Sequence, residues 1–208
     1  MTTPNKRIFA IEGNIGAGKS TLLSLLKEYI PNCCIIPEPV YEWKHVGNMD
    51  LLASFYGGPK RWCFTFEIYS MYTMYTKLKE ALNNNTEIIF MERTLYSNRA
   101  FHRVSEDLGN INCMEMFLLS EIYNFYKKEI PSLDGIIYID TPTNICLKRI
   151  NSRGRVEENN ITETYLTKLE KQFLNIKYDC EKIKINGNYN LNDPLKVIKT
   201  IVDFIENK

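Results

Sequence analysis

Apolar residues recur along this chain in two rhythms. Five short apolar runs, Arg7–Glu12, Cys33–Pro37, Glu87–Glu92, Gly135–Asp140 and Lys182–Asn186, alternate with longer stretches of helical spacing. That alternation predicts an α/β fold: a five-stranded parallel sheet flanked by helices. In the helical stretch Phe64–Leu82, the positions Ile68, Tyr72, Tyr75, Leu78 and Leu82 read as a core-facing stripe, beside a second stripe of Glu67, Ser70 and Met74. Met114–Glu129 is apolar over a wide arc (Phe117, Leu118, Ile122, Phe125, Tyr126), which suits either a core or a face shared with a second subunit. Thr141-Pro142 and Asp193-Pro194 read as an N-cap followed by proline at the first helical position. The second of these opens a final helix with Leu195, Ile198, Ile201, Val202 and Ile205 as its buried stripe.

The first apolar run breaks into Gly13-Asn14-Ile15-Gly16-Ala17-Gly18-Lys19-Ser20-Thr21, which contains the whole phosphate-binding pattern G-x-x-x-x-G-K-[ST]. Glycines let successive backbone N–H groups turn toward one anion. The helix that follows, from Lys19 to about Tyr29, aims its positive end at the same place. Lys19 is spaced to reach the β- and γ-phosphates, and the Ser20 hydroxyl to meet Mg²⁺.

Ligands of parallel α/β sheets bind beyond the carboxyl ends of the strands. Here those ends carry Gly13, Glu38, Glu92-Arg93, Asp140 and Asn186. Pro39 keeps Glu38 extended, so its carboxylate can project into the crevice and accept the proton of an attacking hydroxyl. Glu92 is placed to hold Mg²⁺ through water, and Arg93 to position Glu38 and the acceptor. Arg149 and Arg153 stand one helical turn apart, and Gly154 lets the chain bend before Arg155. Such a cluster suits a lid, about residues 149–160, that neutralises a phosphoryl group in transfer.

Composition narrows the partners. The 208 residues fit one domain, and 44% apolar content supports a core. With 26 Lys+Arg against 25 Asp+Glu, no overall field favours nucleic acid or a membrane surface. No apolar stretch approaches a membrane span, and a first strand near residue 7 leaves no expected room for a targeting peptide. The six cysteines show no metal-ligand spacing and suit a reducing cytoplasm.

Taken in order, the blocks IEGNIGAGKST, EPVYEW, YGGPKRWCFTFE, MERTLYSNR and DGIIYIDTPTNICLKRINSRGRVEE resemble the deoxynucleoside kinase family, over most of the chain. The resemblance implies a P-loop kinase with an Arg-rich lid, which moves the γ-phosphoryl group of ATP, with Mg²⁺, to the 5′-hydroxyl of a deoxynucleoside. It implies Glu38 as general base with Arg93 beside it, Trp43 and Phe66 against the base, and Tyr56 and Glu158 on the sugar 3′-hydroxyl. Lys19, Ser20, Arg149, Arg153 and Arg155 would serve the phosphates and metal, residues near Asn186–Asn192 the donor adenine, and the chain would form a homodimer. Three departures from the family pattern fall in the expected base pocket: Glu67 in place of Gln, Asn98 and Met74 in place of an Asp–Arg pair, and His102 in place of Phe. An ionised carboxylate at 67 accepts hydrogen bonds only, which suits guanine in principle and opposes the cytosine N3 lone pair unless burial keeps the acid protonated; the base preference stands between deoxycytidine and a broad range.

The alternatives differ in what they need. A nucleoside monophosphate kinase, of the thymidylate type, must seat an acceptor phosphate, which Glu38 would repel. A GTP-dependent switch needs an N-K-x-D segment, and residues 175–179 (NIKYD) do not fit. A decayed binding protein would not be expected to keep Lys19, Glu38, Arg93 and the lid arginines together.

Overall fold

A computed structural model describes residues 6–189 and 193–208. Five strands, β1 (Arg7–Gly13), β2 (Cys33–Ile36), β3 (Ile88–Glu92), β4 (Gly135–Asp140) and β5 (Lys182–Asn186), form one sheet in the order β2-β3-β1-β4-β5. Every pairing is parallel, with Phe9 opposite Phe90 on one side and Gly135 on the other. After β3 the chain crosses to the far side of β1, so a crevice opens above the carboxyl end of this central strand. Ile8, Phe9, Ala10 and Ile11 have no exposed surface, because helices cover both faces.

Helices α1 (Lys19–Tyr29), α7 (Thr143–Arg153), α8 (Glu163–Asn175) and α9 (Leu195–Glu206) pack apolar residues such as Leu22, Ile150, Phe173 and Ile201 into the core that holds the sheet. A second core is built almost entirely from helices. It joins α2 (Val40–Lys44), α3 (Leu51–Gly57), α4 (Pro59–Leu82), α5 (Leu95–Asp107) and α6 (Cys113–Glu129) through Trp43, Phe55, Phe66, Met71, Leu95 and Leu119. Asn112 and Glu115 form a reciprocal capping box at the start of α6.

Several elements depart from what the sequence pattern predicts. Helix α4 begins at Pro59, five residues before Phe64, since proline at the first position is no barrier to a helix. Its buried face is the polar stripe Glu67, Ser70 and Met74, continued by Phe66, Met71 and Leu78, whereas Tyr72 is half exposed. The two stripes lie on adjoining sectors, and the one turned to the crevice won burial. Thr141 does not cap α7; its hydroxyl donates instead to the Ala17 carbonyl at 2.9 Å, tying β4 to the phosphate loop. Asp193 gives no side-chain cap to α9, whose N-cap is Pro194, and Leu195 is exposed while Val197 and Phe204 are buried. On α6, Met116, Leu119 and Tyr123 face the core, and Met114, Phe117, Leu118 and Phe125 remain exposed. No helix among the described residues is long and apolar enough to cross a membrane.

Candidate active site

The turn from β1 to α1 is the first wall of the site. Gly13 has φ +147° and Gly16 φ +74°, and a Cβ would stand 2.8 Å from the Ile139 carbonyl oxygen at Gly13 and 2.6 Å from that of Cys146 at Gly16. Only glycine combines these angles with that approach. Asn14 works within the scaffold: its amide donates to the Leu166 carbonyl at 2.9 Å, and its Oδ1 accepts from the Ile15 backbone. Ile15, Gly16, Gly18, Lys19, Ser20 and Thr21 line a cavity of about 590 Å³, a volume usual for a nucleotide-scale ligand. Gly13, Asn14 and Ala17 shape the loop from behind, the Ala17 carbonyl accepting from both Thr141 and Arg149.

Charged groups are concentrated around this loop. Arg93 takes a left-handed backbone conformation at φ +66°, sparse for a side-chain-bearing residue, and its N–H donates to the Ile11 carbonyl at 3.0 Å. From there its Nε donates to Glu38 Oε1 at 2.7 Å and its Nη1 to the Gly13 carbonyl at 3.1 Å. The guanidinium also lies over the rings of Phe101 and Phe173. Burial works to raise the Glu38 carboxyl, but the Arg93 and Lys19 charges outweigh it and hold it below the ordinary carboxylate range. Burial, with Arg93 nearby, lowers Lys19 to about 8, against the opposing pull of Glu92 and Glu38. Ser20 Oγ donates to Glu92 Oε2 at 3.0 Å, and Lys19 Nζ is 3.8 Å from Glu92 Oε1.

The arginines of 149–155 all line the cavity, each with a partner. Arg149 donates to the Ala17 carbonyl at 3.0 Å and the Gly187 carbonyl at 2.9 Å. Arg153 and Arg155 grip the two oxygens of buried Glu158, at 2.6 and 3.3 Å. Gly154 turns the chain between them at φ +67°. Residues 190–192, part of the stretch expected against a donor adenine, lie outside the described residues.

The other wall is helical. Trp43 and Phe66 meet edge to face at 5.2 Å, Phe55 stacks on Phe66 at 4.7 Å, and the Trp43 indole donates to Thr73 Oγ1 at 2.8 Å. Tyr56, Glu67, Met74, Asn98 and Glu158 line the same cavity. His102 does not. It stands behind Glu67, with Nε2 at 3.1 Å from Glu67 Oε2, because helical spacing turns position 102 away from the crevice and brings Phe101 to it.

Some residues of the site escape the sequence reading. Phe55 and Phe101 line the cavity, yet aromatic residues on helices look like core until neighbours are known. Glu12 is fully buried, accepts from Thr94 Oγ1 at 2.6 Å and from Ser97, and burial raises its carboxyl above the ordinary range. A charged residue at the end of an apolar strand was the available signal.

Residues 9–208 match the family model described as deoxynucleoside kinase. A Fowlpox virus protein named as a probable deoxycytidine kinase is 34% identical over 213 residues, covering 94% of this chain and 87% of its own. Human deoxycytidine kinase is 32% identical, over 77% of this chain and 71% of its own. The mitochondrial deoxyguanosine kinase of Xenopus laevis is 32% identical, over 78% and 70%.

Proposed function

The chain belongs to the deoxynucleoside kinase family, and on that premise we propose how its own residues phosphorylate a deoxynucleoside. The carrying observation is the contact of Arg93 Nε with Glu38 Oε1 at 2.7 Å, inside the cavity that the phosphate loop lines. ATP is the donor, held by the N–H groups of the loop and by Lys19. Glu38, kept ionised by Arg93 and Lys19, accepts the proton of the 5′-hydroxyl as its oxygen bonds to the γ-phosphorus and the bond to the bridging oxygen of ADP breaks. The second nitrogen of Arg93 sits on Gly13, so the base is fixed to the same loop that holds the donor.

Ser20 and Glu92 fit a hard cation: a hydroxyl and a carboxylate in mutual contact beside the loop. Mg²⁺ asks for few protein ligands, since phosphate oxygens and water supply the rest. When bound it neutralises charge on the β- and γ-oxygens. Arg153 and Arg155 exchange Glu158 for the transferring phosphoryl group as a lid over 149–160, and freed Glu158 joins Tyr56 at the sugar 3′-hydroxyl. We treat residues 1–208 as one kinase domain. It pairs as a homodimer through the exposed Met114, Phe117, Leu118 and Phe125 of α6, in the reducing cytoplasm that its free cysteines suit.

The test is product identification after incubation with ATP-Mg²⁺ and deoxynucleosides, monophosphates, or GTP alone. Deoxynucleoside 5′-monophosphate is expected; diphosphate from a monophosphate substrate would instead support the monophosphate kinase alternative, which the Glu38 carboxylate disfavours.

A further inference from the structure

Glu12 has no exposed surface, and no step of the proposed reaction uses it. Both of its oxygens are taken by hydroxyl groups of one turn. Oε1 accepts from Thr94 Oγ1 at 2.6 Å, and Oε2 accepts from Ser97 Oγ. Thr94 and Ser97 are themselves buried, stand at the start of α5 and follow closely on Arg93. Thr94 already caps that helix by accepting from the Tyr96 N–H at 3.1 Å. The carboxyl group is therefore not required as a cap, and a carboxyl buried at cost asks for another reason.

The turn that Glu12 holds is strained. Arg93 sits at φ +66°, a conformation that a side-chain-bearing residue keeps only where its surroundings over-determine it. Three consecutive residues of β1 supply that constraint. The Ile11 carbonyl accepts from the Arg93 N–H at 3.0 Å, the Gly13 carbonyl accepts from Arg93 Nη1 at 3.1 Å, and Glu12 between them holds Thr94. The register of β1 with β3 ends at the Ile11–Glu92 pair, so the strands give no pairing to Thr94 and beyond. Of the three contacts, that of Glu12 is the one made by a side chain of β1. It also secures the helical flank of the strained residue.

We propose that Glu12 is a positioning residue of this kinase: it tethers Thr94 and Ser97 so that Arg93 keeps its left-handed backbone and its grip on Glu38. The proposal rests on the kinase reading. Glu12 does not line the cavity, so its route to the reaction runs through Arg93. Without the tether the turn keeps the cost of its conformation and loses part of what offsets it. Arg93 then relaxes toward the negative φ that its side chain favours, and its Nε leaves Glu38 Oε1. The base is still present but no longer fixed to the loop that holds the donor.

The test is a double-mutant cycle. Glu12→Ala should lower the single-turnover rate of phosphoryl transfer by about 10- to 100-fold, while equilibrium ATP affinity stays within about twofold. In an Arg93→Ala background the same substitution should have little further effect, because its route to the reaction is gone. Glu12→Gln, whose amide can accept from one hydroxyl and donate to the other, should restore most of the rate. Ser97→Ala removes one of the two contacts and spares the carboxyl group. It should give a smaller loss that also vanishes beside Arg93→Ala, and it carries the cycle if Glu12→Ala does not fold. Equal losses in both backgrounds, or a fall in ATP affinity that matches the fall in rate, would show that Glu12 serves the phosphate loop or the fold at large, and overturn the assignment. A Glu12→Gln variant as slow as Glu12→Ala would make the charge, not the tether, the operative feature, and overturns it as well. If the parent phosphorylates no deoxynucleoside, the kinase reading fails, and crystal structures of the parent and of whichever variant folds still decide the tether. Arg93 should leave its positive φ and lose its contact with Glu38; an unmoved turn overturns the proposal.

Discussion

The two ends of the cavity are made differently. At the phosphate end the backbone shapes the cradle and anchors the charged side chains around it. Gly13, Gly16, Gly18 and Arg93 all have positive φ, and the carbonyls of Gly13 and Ala17 hold Arg93 and Arg149 in place. At the base end the contacts come from side chains on helices: the Trp43–Phe66–Phe55 stack and the Glu67–Asn98–His102 cluster. A phosphate has one shape and one charge, so a backbone cradle suits it and leaves little room for variation. Bases differ only in a few donors and acceptors, and single side chains on α4 and α5 can change the choice without touching the reaction. On the proposed reading, chemistry and selection fall to separate elements of the fold.

The largest expected break in this comparison is at Glu38. Glu38→Gln keeps the shape and the Arg93 contact but cannot accept a proton, and kcat should fall by about 10²–10⁴-fold with little change in nucleoside affinity. Steady-state kinetics with separate nucleoside binding checks this; an unchanged kcat with a raised KM would make Glu38 a binding group.

Lys19→Met should follow, with turnover reduced on the order of 10²–10³-fold, while the fold gains stability. Lys19 titrates near 8 in the folded state, below its ordinary 10.5, so the folded protein releases that proton first as pH rises. Between these values the unfolded chain binds more protons, and the Lys19 contribution to stability rises with pH. At pH 7 the penalty of the buried charge is fully present, up to about 3 kcal/mol. Denaturant melts of parent and variant should therefore differ most at pH 7 and converge toward pH 10.5. A constant difference would show that burial of the charge carries no such penalty.

Arg153→Ala and Arg155→Ala should each slow phosphoryl transfer by about 10- to 100-fold, the loss of one charged hydrogen bond in the closed state. Single-turnover rates against equilibrium ATP affinity separate the effects, and equal losses in both would mean ordinary ground-state binding. The smallest effect belongs to the base end. Trp43→Phe removes the 2.8 Å bond to Thr73 but keeps the aromatic wall, and nucleoside KM should rise by about 2- to 10-fold with kcat intact. A fall in kcat with unchanged KM would couple the helical wall to the chemistry and erase the division between the two ends.

The sequence by itself determined the sheet, the phosphate loop and the set of charged residues around it. β4 and β5 have the bounds their apolar runs predict, and Lys19, Glu38, Arg93, Arg149, Arg153 and Arg155 meet in one cavity. These are local facts: a glycine pattern or strand-end residue states its own backbone conformation, and parallel topology brings strand ends together. What only the tertiary structure decided depends on facing partners. It turned the polar stripe of α4 inward rather than Tyr72, spent Thr141 on the Ala17 carbonyl rather than a helix cap, and held Arg153 and Arg155 on Glu158. It also put Phe101 on the cavity wall and His102 behind Glu67. Helical periodicity gives the angle between two side chains but not which of them meets the crevice. The neighbouring helices settle that by burying whichever face completes their packing.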